Sequence, residues 1–265
     1  MPTPIRCAYI DIPAGQIHYR HAAGDGIPFV YLHQTASSSK MWLKVMERLS
    51  DLGPHYAIDT PGFGGSFDPE ESPSMSQYVD WMAEALAALD VTRAHIVGHH
   101  TGACIGCELA ARYPSLAASV TLLGPVPLTD EEREEFSRHF GAPFETTASG
   151  GYLMDNWYYL DRLGAHADLT LFHRELWDML RAQYGRVKSY AAVWGQDFTG
   201  FFEAITVPLA IMCAQDDVLW PFFDRAKELR PDALAAVPGG ANFEPDLDPD
   251  TVAGTIRQLV TSIAD

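Results

Sequence analysis

Ala94-His95-Ile96-Val97-Gly98-His99-His100-Thr101-Gly102-Ala103-Cys104 is the stretch that decides how the chain is read. A short apolar run meets Gly98-x-x-x-Gly102 and passes into small residues suited to a helix. This is the layout of G-x-S-x-G, in which a strand turns sharply into a helix and lifts one side chain out at the tip. The glycines stand where the two backbones approach too closely for a Cβ. The tip, a serine in that motif, is His100.

Working outward, strands alternate with helices. Residues 6–12 and 16–22 read as two strands joined by a turn, and Phe29-Val30-Tyr31-Leu32 as a short strand buried on both faces. The polar loop from His33 to Ser39 opens a helix with Met41, Trp42, Val45, Met46 and Leu49 on its apolar side. Tyr56-Ala57-Ile58 leads into the loop Pro61-Gly62-Phe63-Gly64-Gly65-Ser66. Ser74 and Gln77 form a capping-box pattern at the start of the next helix, as do Thr129 and Glu132 further on. Further strands are expected over 119–123, 209–213 and 235–237, and Asp248-Pro249 opens a closing helix. The alternation predicts a mostly parallel eight-stranded sheet with helices on both faces. Ligands bind such sheets at the carboxyl ends of the strands, where His33, Asp59 and His100 fall.

The alternation breaks between Gly124 and Thr206, a helix-like stretch rich in aromatics. It predicts a helical cap over 125–206, inserted into a core domain of 1–124 and 207–265. A lid over a strand-end crevice is where apolar ligands bind, and Trp157, Trp177 and Trp194 are the candidate pocket aromatics.

In 265 residues, 47% are hydrophobic and 20% charged, which suits a globular protein with a sizeable core. The formal net charge of −17 argues against nucleic acid or an anionic membrane as partner. With no signal-peptide pattern and no long apolar run, the expected location is cytoplasmic. The partner expected is a small molecule, with homo-oligomerisation left open. Cys104-x-x-Cys107 reads as a buried thiol pair rather than a redox or zinc site.

The loop from His33 to Trp42, the Pro61–Ser66 loop, the Gly98–Gly102 elbow, Asp216-Asp217 and Gly239-Gly240-Ala241 together resemble the α/β-hydrolase superfamily over nearly the whole chain. The pattern is most like the capped branch of epoxide hydrolases, haloalkane dehalogenases and small esterases. The resemblance implies an α/β-hydrolase fold with the nucleophile at position 100, the acid at Asp217 and the base at position 242. Relatives carry Ser, Asp or Cys at the first and His at the last; here they are His100 and Asn242, and no histidine follows His173. The acyl-enzyme route is therefore not available in the family's form.

What remains is a neutral imidazole able to take a proton near pH 7. Asp217 is expected to orient it, and Asn242 to donate to substrate. The resemblance places oxyanion donors at the Thr35 and Thr101 amides, with Gln34 adding a further amide. His33, His99 and Asp59 read as structural, and adjacent His99 and His100 are expected to point in opposite directions, so no metal site and no cofactor are expected. The function expected is an atypical enzyme on a small, largely apolar carbonyl, ester, lactone or epoxide compound. It would use a hydrolytic, lyase or cyclase reaction with His100 as general base or acid. The competing reading is a catalytically inactive hydrolase-fold protein that binds an apolar small molecule.

Overall fold

Ala94–His99 forms β5, the strand that leads into the elbow, and all six of its residues are buried. In the computed structural model, which describes residues 3–264, this strand lies inside an eight-stranded sheet. The strands are β1 (Arg6–Ile12), β2 (Gly15–Ala22), β3 (Phe29–Leu32), β4 (His55–Ile58), β5, β6 (Ala117–Leu123), β7 (Leu209–Met212) and β8 (Leu234–Ala236), in the spatial order β1-β2-β4-β3-β5-β6-β7-β8. Among the described residues β2 alone runs against the other strands, pairing antiparallel with β1 and β4, and the remaining neighbours pair in parallel. The chain has the α/β-hydrolase fold expected from its motifs.

The helices are α1 (Leu43–Arg48), α2 (Met75–Ala88), α3 (Thr101–Arg112), α4 (Asp130–Phe140), α5 (Gly151–Arg162), α6 (Leu169–Arg181), α7 (Gln183–Trp194), α8 (Phe198–Ala204), α9 (Phe223–Leu229), α10 (Glu244–Leu247) and α11 (Pro249–Ala264). They cover both faces of the sheet, and the residues of β3 show why its run is uninterruptedly apolar. Val30 and Leu32 pack with Val79 and Met82 of α2 and Ile105 of α3. Phe29 and Tyr31, one residue out of phase, pack with Val45 and Met46 of α1 and Val252 and Ile256 of α11. A strand buried on both sides needs apolar side chains at every position rather than at alternate ones.

Both capping patterns sit at helix starts. At α4 the full box is made, with Thr129 accepting from the Glu132 N–H and Glu132 accepting from the Thr129 N–H. At α2 Ser74 accepts from the Gln77 N–H at 3.2 Å. Between β6 and β7 the chain forms α4 to α8. Tyr159, Leu160, Leu171, Phe172 and Met179 build a cluster of their own there, joined by Phe243. Phe198 and Phe202 of α8 instead join the core cluster beneath α3. No helix among the described residues is long and apolar enough to cross a membrane.

The elbow is as close-packed as its glycines imply. A Cβ on Gly102 would lie 2.1 Å from the Leu32 carbonyl oxygen, and one on Gly98 2.2 Å from the Gly102 carbonyl oxygen. Both obstacles are backbone and cannot swing aside. Gly102→Ala is therefore expected to destabilise the fold by about 1–3 kcal/mol or more, seen as a lowered urea midpoint. A variant with an unchanged midpoint would show that strand and helix are free to separate here.

Candidate functional site

At the elbow tip His100 adopts φ +48° and ψ −108°. Positive φ is uncommon outside glycine, and histidine is among the residues enriched there. The twist lifts the ring out of the sheet, where its Nε2 lies 2.7 Å from Oδ2 of Asp217. Asp217 follows β7, and its other oxygen accepts from the Leu219 N–H at 2.6 Å. Both carboxylate oxygens thus face donors, so His100 carries its proton on Nε2 and presents a lone pair at Nδ1. Nδ1 has no partner among the described residues, and the ring lines a cavity.

Gly124, directly after β6, makes the pair possible. It has φ +59°, and a Cβ there would stand 2.3 Å from Cδ2 and 2.5 Å from Nε2 of His100. Any larger residue would push the ring off Asp217. Sequence reasoning passes over Gly124; its signal is a glycine directly after the apolar run Val120-Thr121-Leu122-Leu123.

The same twist corrects the expectation for His99. Strand alternation predicts opposite directions for adjacent side chains, but the two rings lie with centroids 4.3 Å apart. Alternation holds only while the backbone stays extended, and His100 has left the extended region. His99 is fully buried, and its Nε2 lies 2.8 Å from Oε2 of Glu244. Burial drives the Glu244 carboxyl well up, with the Asp217 carboxylate adding to the effect, and drives His99 well down. Both shifts have burial as their largest cause and favour the uncharged forms. This second buried pair, beside the first, is not legible in the sequence because no motif singles out Glu244 as a partner.

His33 is held by backbone alone. Its Nε2 accepts from the Thr60 N–H at 2.9 Å, so its proton is on Nδ1, which donates to the Gln34 carbonyl at 2.7 Å. Burial lowers its pKa. Asp59 accepts from the Ser39 and Gly65 N–H groups and pairs with His18, and its carboxyl is held far below the ordinary range by these donors. It braces loops away from the cavity. Cys104 and Cys107 are buried free thiols whose pKa burial raises strongly.

The cavity is small, about 50 Å³, and opens to solvent. Its polar lining is Gln34, Thr35, His100, Thr101 and Asn242, and its apolar lining comes mostly from α4, α5 and α7 through Phe136, Phe140, Tyr159, Tyr190, Val193 and Trp194. Thr101 is the first residue of α3, where an amide has no intrahelical acceptor and the helix dipole favours negative charge. The Thr35 hydroxyl bonds those of Thr101 at 2.8 Å and Ser189 at 2.7 Å. Gln34 donates from Nε2 to the Asn242 carbonyl at 2.9 Å, tying two loops together. Asn242 accepts at Oδ1 from the Val218 N–H at 3.4 Å. That donor fixes the amide orientation and leaves Nδ2 without an acceptor among the described residues.

Of the three tryptophans expected in the pocket, Trp194 lines it. Trp157 does not: it stacks on Phe172 with centroids 3.9 Å apart, inside the helical cluster. Trp177 does not either, being 67% exposed on the outer side of α6. The inner side of α6 buries Glu175 and Asp178 instead, which accept from the Ser37 and Ser38 hydroxyls. Polar partners on the core loop thus turn the helix so that its tryptophan faces out.

His99, His100 and Asp217 form a cluster with metal-ligand atoms within 4.8 Å of one another. Two donors on one tetrahedral zinc stand about 3.3 Å apart, given bonds near 2.0 Å. The 2.7 Å between His100 and Asp217 is instead a hydrogen-bond distance.

A family model described as alpha/beta hydrolase fold matches residues 27–153. 2-(Acetamidomethylene)succinate hydrolase of Mesorhizobium japonicum is 33% identical over 109 residues, which is 41% of this chain and 39% of that protein. Haloalkane dehalogenase of Agrobacterium fabrum is 32% identical over 119 residues, 44% of this chain and 38% of that one. The chain thus spans about two fifths of the length of these curated relatives. Among solved structures, E-2-(acetamidomethylene)succinate hydrolase superposes with a TM-score of 0.79 at 21% identity, covering 97% of this chain and 100% of the other. The enol-lactonase from Burkholderia xenovorans has a TM-score of 0.79 at 17% identity, covering 96% and 100%. At these identities the structural likeness is one of fold.

Proposed function

We propose that this chain, which has the α/β-hydrolase fold, is an enzyme acting on a small, largely apolar carbonyl compound, with His100 as general base and acid in place of a nucleophile. The observation that carries this is the 2.7 Å bond from His100 Nε2 to Asp217, which leaves Nδ1 as an unpaired base in the cavity wall. His100 thus stands at the position where the resemblance puts the nucleophile, bonded directly to the residue at the acid position.

For an ester or lactone the steps follow from this placement. A water between Nδ1 and the carbonyl carbon gives its proton to Nδ1, and its oxygen bonds to carbon. The carbonyl electron pair moves to oxygen, where the Thr101 and Thr35 amides donate. Asp217 stabilises the imidazolium. As the tetrahedral species collapses, the C–O bond to the leaving group breaks, and the departing alkoxide takes the proton from Nδ1. Asn242 Nδ2 is free to donate to a substrate oxygen. No covalent enzyme intermediate forms. Relatives named as a succinate-derivative hydrolase and a haloalkane dehalogenase support hydrolytic chemistry in this scaffold.

The test is a panel of p-nitrophenyl acetate and butyrate, δ-valerolactone and styrene oxide, run with His100→Gln beside the native chain. Loss of the base is expected to lower kcat/KM by about 10²–10⁴, with the thermal unfolding transition retained. Unchanged turnover in the variant would remove His100 from the mechanism. Saturable binding with no product after long incubation would favour the competing reading of a ligand-binding protein.

A further inference from the structure

This chain carries 35 acidic and 18 basic residues, so an arginine has no shortage of partners. Arg48, Arg112, Arg133, Arg138, Arg174, Arg181, Arg225, Arg230 and Arg257 all form ion pairs. Arg186, on α7, is only 3% exposed and has no carboxylate within 4 Å among the described residues. Its guanidinium lies over the rings of Phe144, Tyr159 and Tyr190, at 4.7, 4.9 and 5.3 Å from their centroids. One nitrogen donates to the Ala142 carbonyl at 2.6 Å, and the buried Nε has no partner. A buried cation is expensive unless paired, and aromatic faces offset only part of the cost.

Tyr159 and Tyr190, between which the guanidinium sits, both line the cavity that holds His100. Their hydroxyl oxygens are 3.1 Å apart. Two hydroxyls hold two protons, and the bond between them uses one. Arg186 behind them is only a donor and cannot accept the other. The spare proton is left for a further acceptor, and both tyrosines line the cavity while Arg186 does not. Burial and the neighbouring Tyr159 hydroxyl push the Tyr190 phenol well above its ordinary pKa, against the pull of Arg186, so it stays a donor.

We propose that Tyr159 and Tyr190, backed by Arg186, are a specificity subsite for a carboxylate on the substrate. This rests on reading the cavity as a substrate site. The substrate is then an apolar body with two polar stations: a carbonyl at His100 and a carboxylate at the tyrosine pair. The bound anion supplies the counter-charge that the chain withholds from Arg186.

The test uses binding rather than turnover, so it stands apart from the catalytic role of His100. 3-Phenylpropanoate and 3-phenylpropanamide are nearly isosteric and differ by the charge. Their titration is followed by tryptophan fluorescence, because Trp194 lines the cavity and stacks on Tyr190 at 5.8 Å. The native chain is expected to bind the carboxylate at least tenfold tighter than the amide. Arg186→Gln, and separately the Tyr159→Phe, Tyr190→Phe double variant, should each reduce that preference to threefold or less. The double variant keeps both rings and reads the same bond should Arg186→Gln fail to fold. His100→Gln should keep the preference. Equal binding of the two probes, absence of binding by both, or a preference that survives loss of the two hydroxyls would each overturn the proposal.

Discussion

Asp217→Asn is expected to lower turnover by about three to four orders of magnitude while the chain still folds. The argument is one of tautomers. The Leu219 N–H, 2.6 Å from Oδ1, can only donate, so the oxygen of the new amide must remain there. The NH2 group is then turned toward Nε2 of His100, 2.7 Å away, and it too can only donate. Nε2 must accept, so the imidazole proton moves to Nδ1. The atom that faces the cavity changes from a base to a donor, with no change in the shape of the side chain. The substituted residue is isosteric and both of its hydrogen bonds persist, so the thermal transition should move little. Nitrogen chemical shifts of His100 report the tautomer directly, and kcat on the same ester panel reports its consequence. A variant with more than a tenth of the native turnover would show that Asp217 does not set the state of His100.

How much of this site can be read from sequence depends on whether a feature is local. The elbow is legible from its glycine spacing, and Asp217 and Asn242 from the resemblance of their loops to the acid and base positions of the α/β-hydrolases. The 2.7 Å contact of His100 with Asp217 was expected on that basis. The cavity wall was less legible. Helical periodicity says which residues share a face, but not which neighbour that face meets. On α5, Trp157 and Tyr159 project about 200° apart, and it is the tyrosine that reaches the cavity. On α6 the bias toward apolar burial misleads outright, since Glu175 and Asp178 are buried while Trp177 is exposed. Their partners Ser37, Ser38 and Lys40 lie some 140 positions earlier. Glu244 and Arg186 were missed for a related reason: no motif singles out the one as a partner, and the other is notable for the carboxylate it lacks.

Position 242 carries the last expectation. His100→Ser combined with Asn242→His is expected to turn the site into a serine esterase, while His100→Ser alone stays inactive. In the native chain a histidine at 242 would compete with His100 for Oδ2 of Asp217; asparagine does not, and its Oδ1 is instead taken by the Val218 N–H, next to the acid. Removing the imidazole frees that oxygen and opens the space above Gly124. A histidine at 242 then has the acid within reach on one side and the new hydroxyl at the elbow tip on the other. The Thr101 amide at the start of α3 is untouched by either change. The mechanism should change with the residues. The double variant should give a burst of p-nitrophenol from p-nitrophenyl acetate as the acyl-enzyme accumulates, whereas the native chain, for which the proposed mechanism has no covalent intermediate, should give none. Steady-state turnover of the double variant should exceed that of His100→Ser by about 10² or more, the usual contribution of a positioned base. If the double variant shows no burst and no gain over the single one, then position 100 is not the nucleophile position that the resemblance implies, and the fit of Asn242 beside Asp217 has another cause.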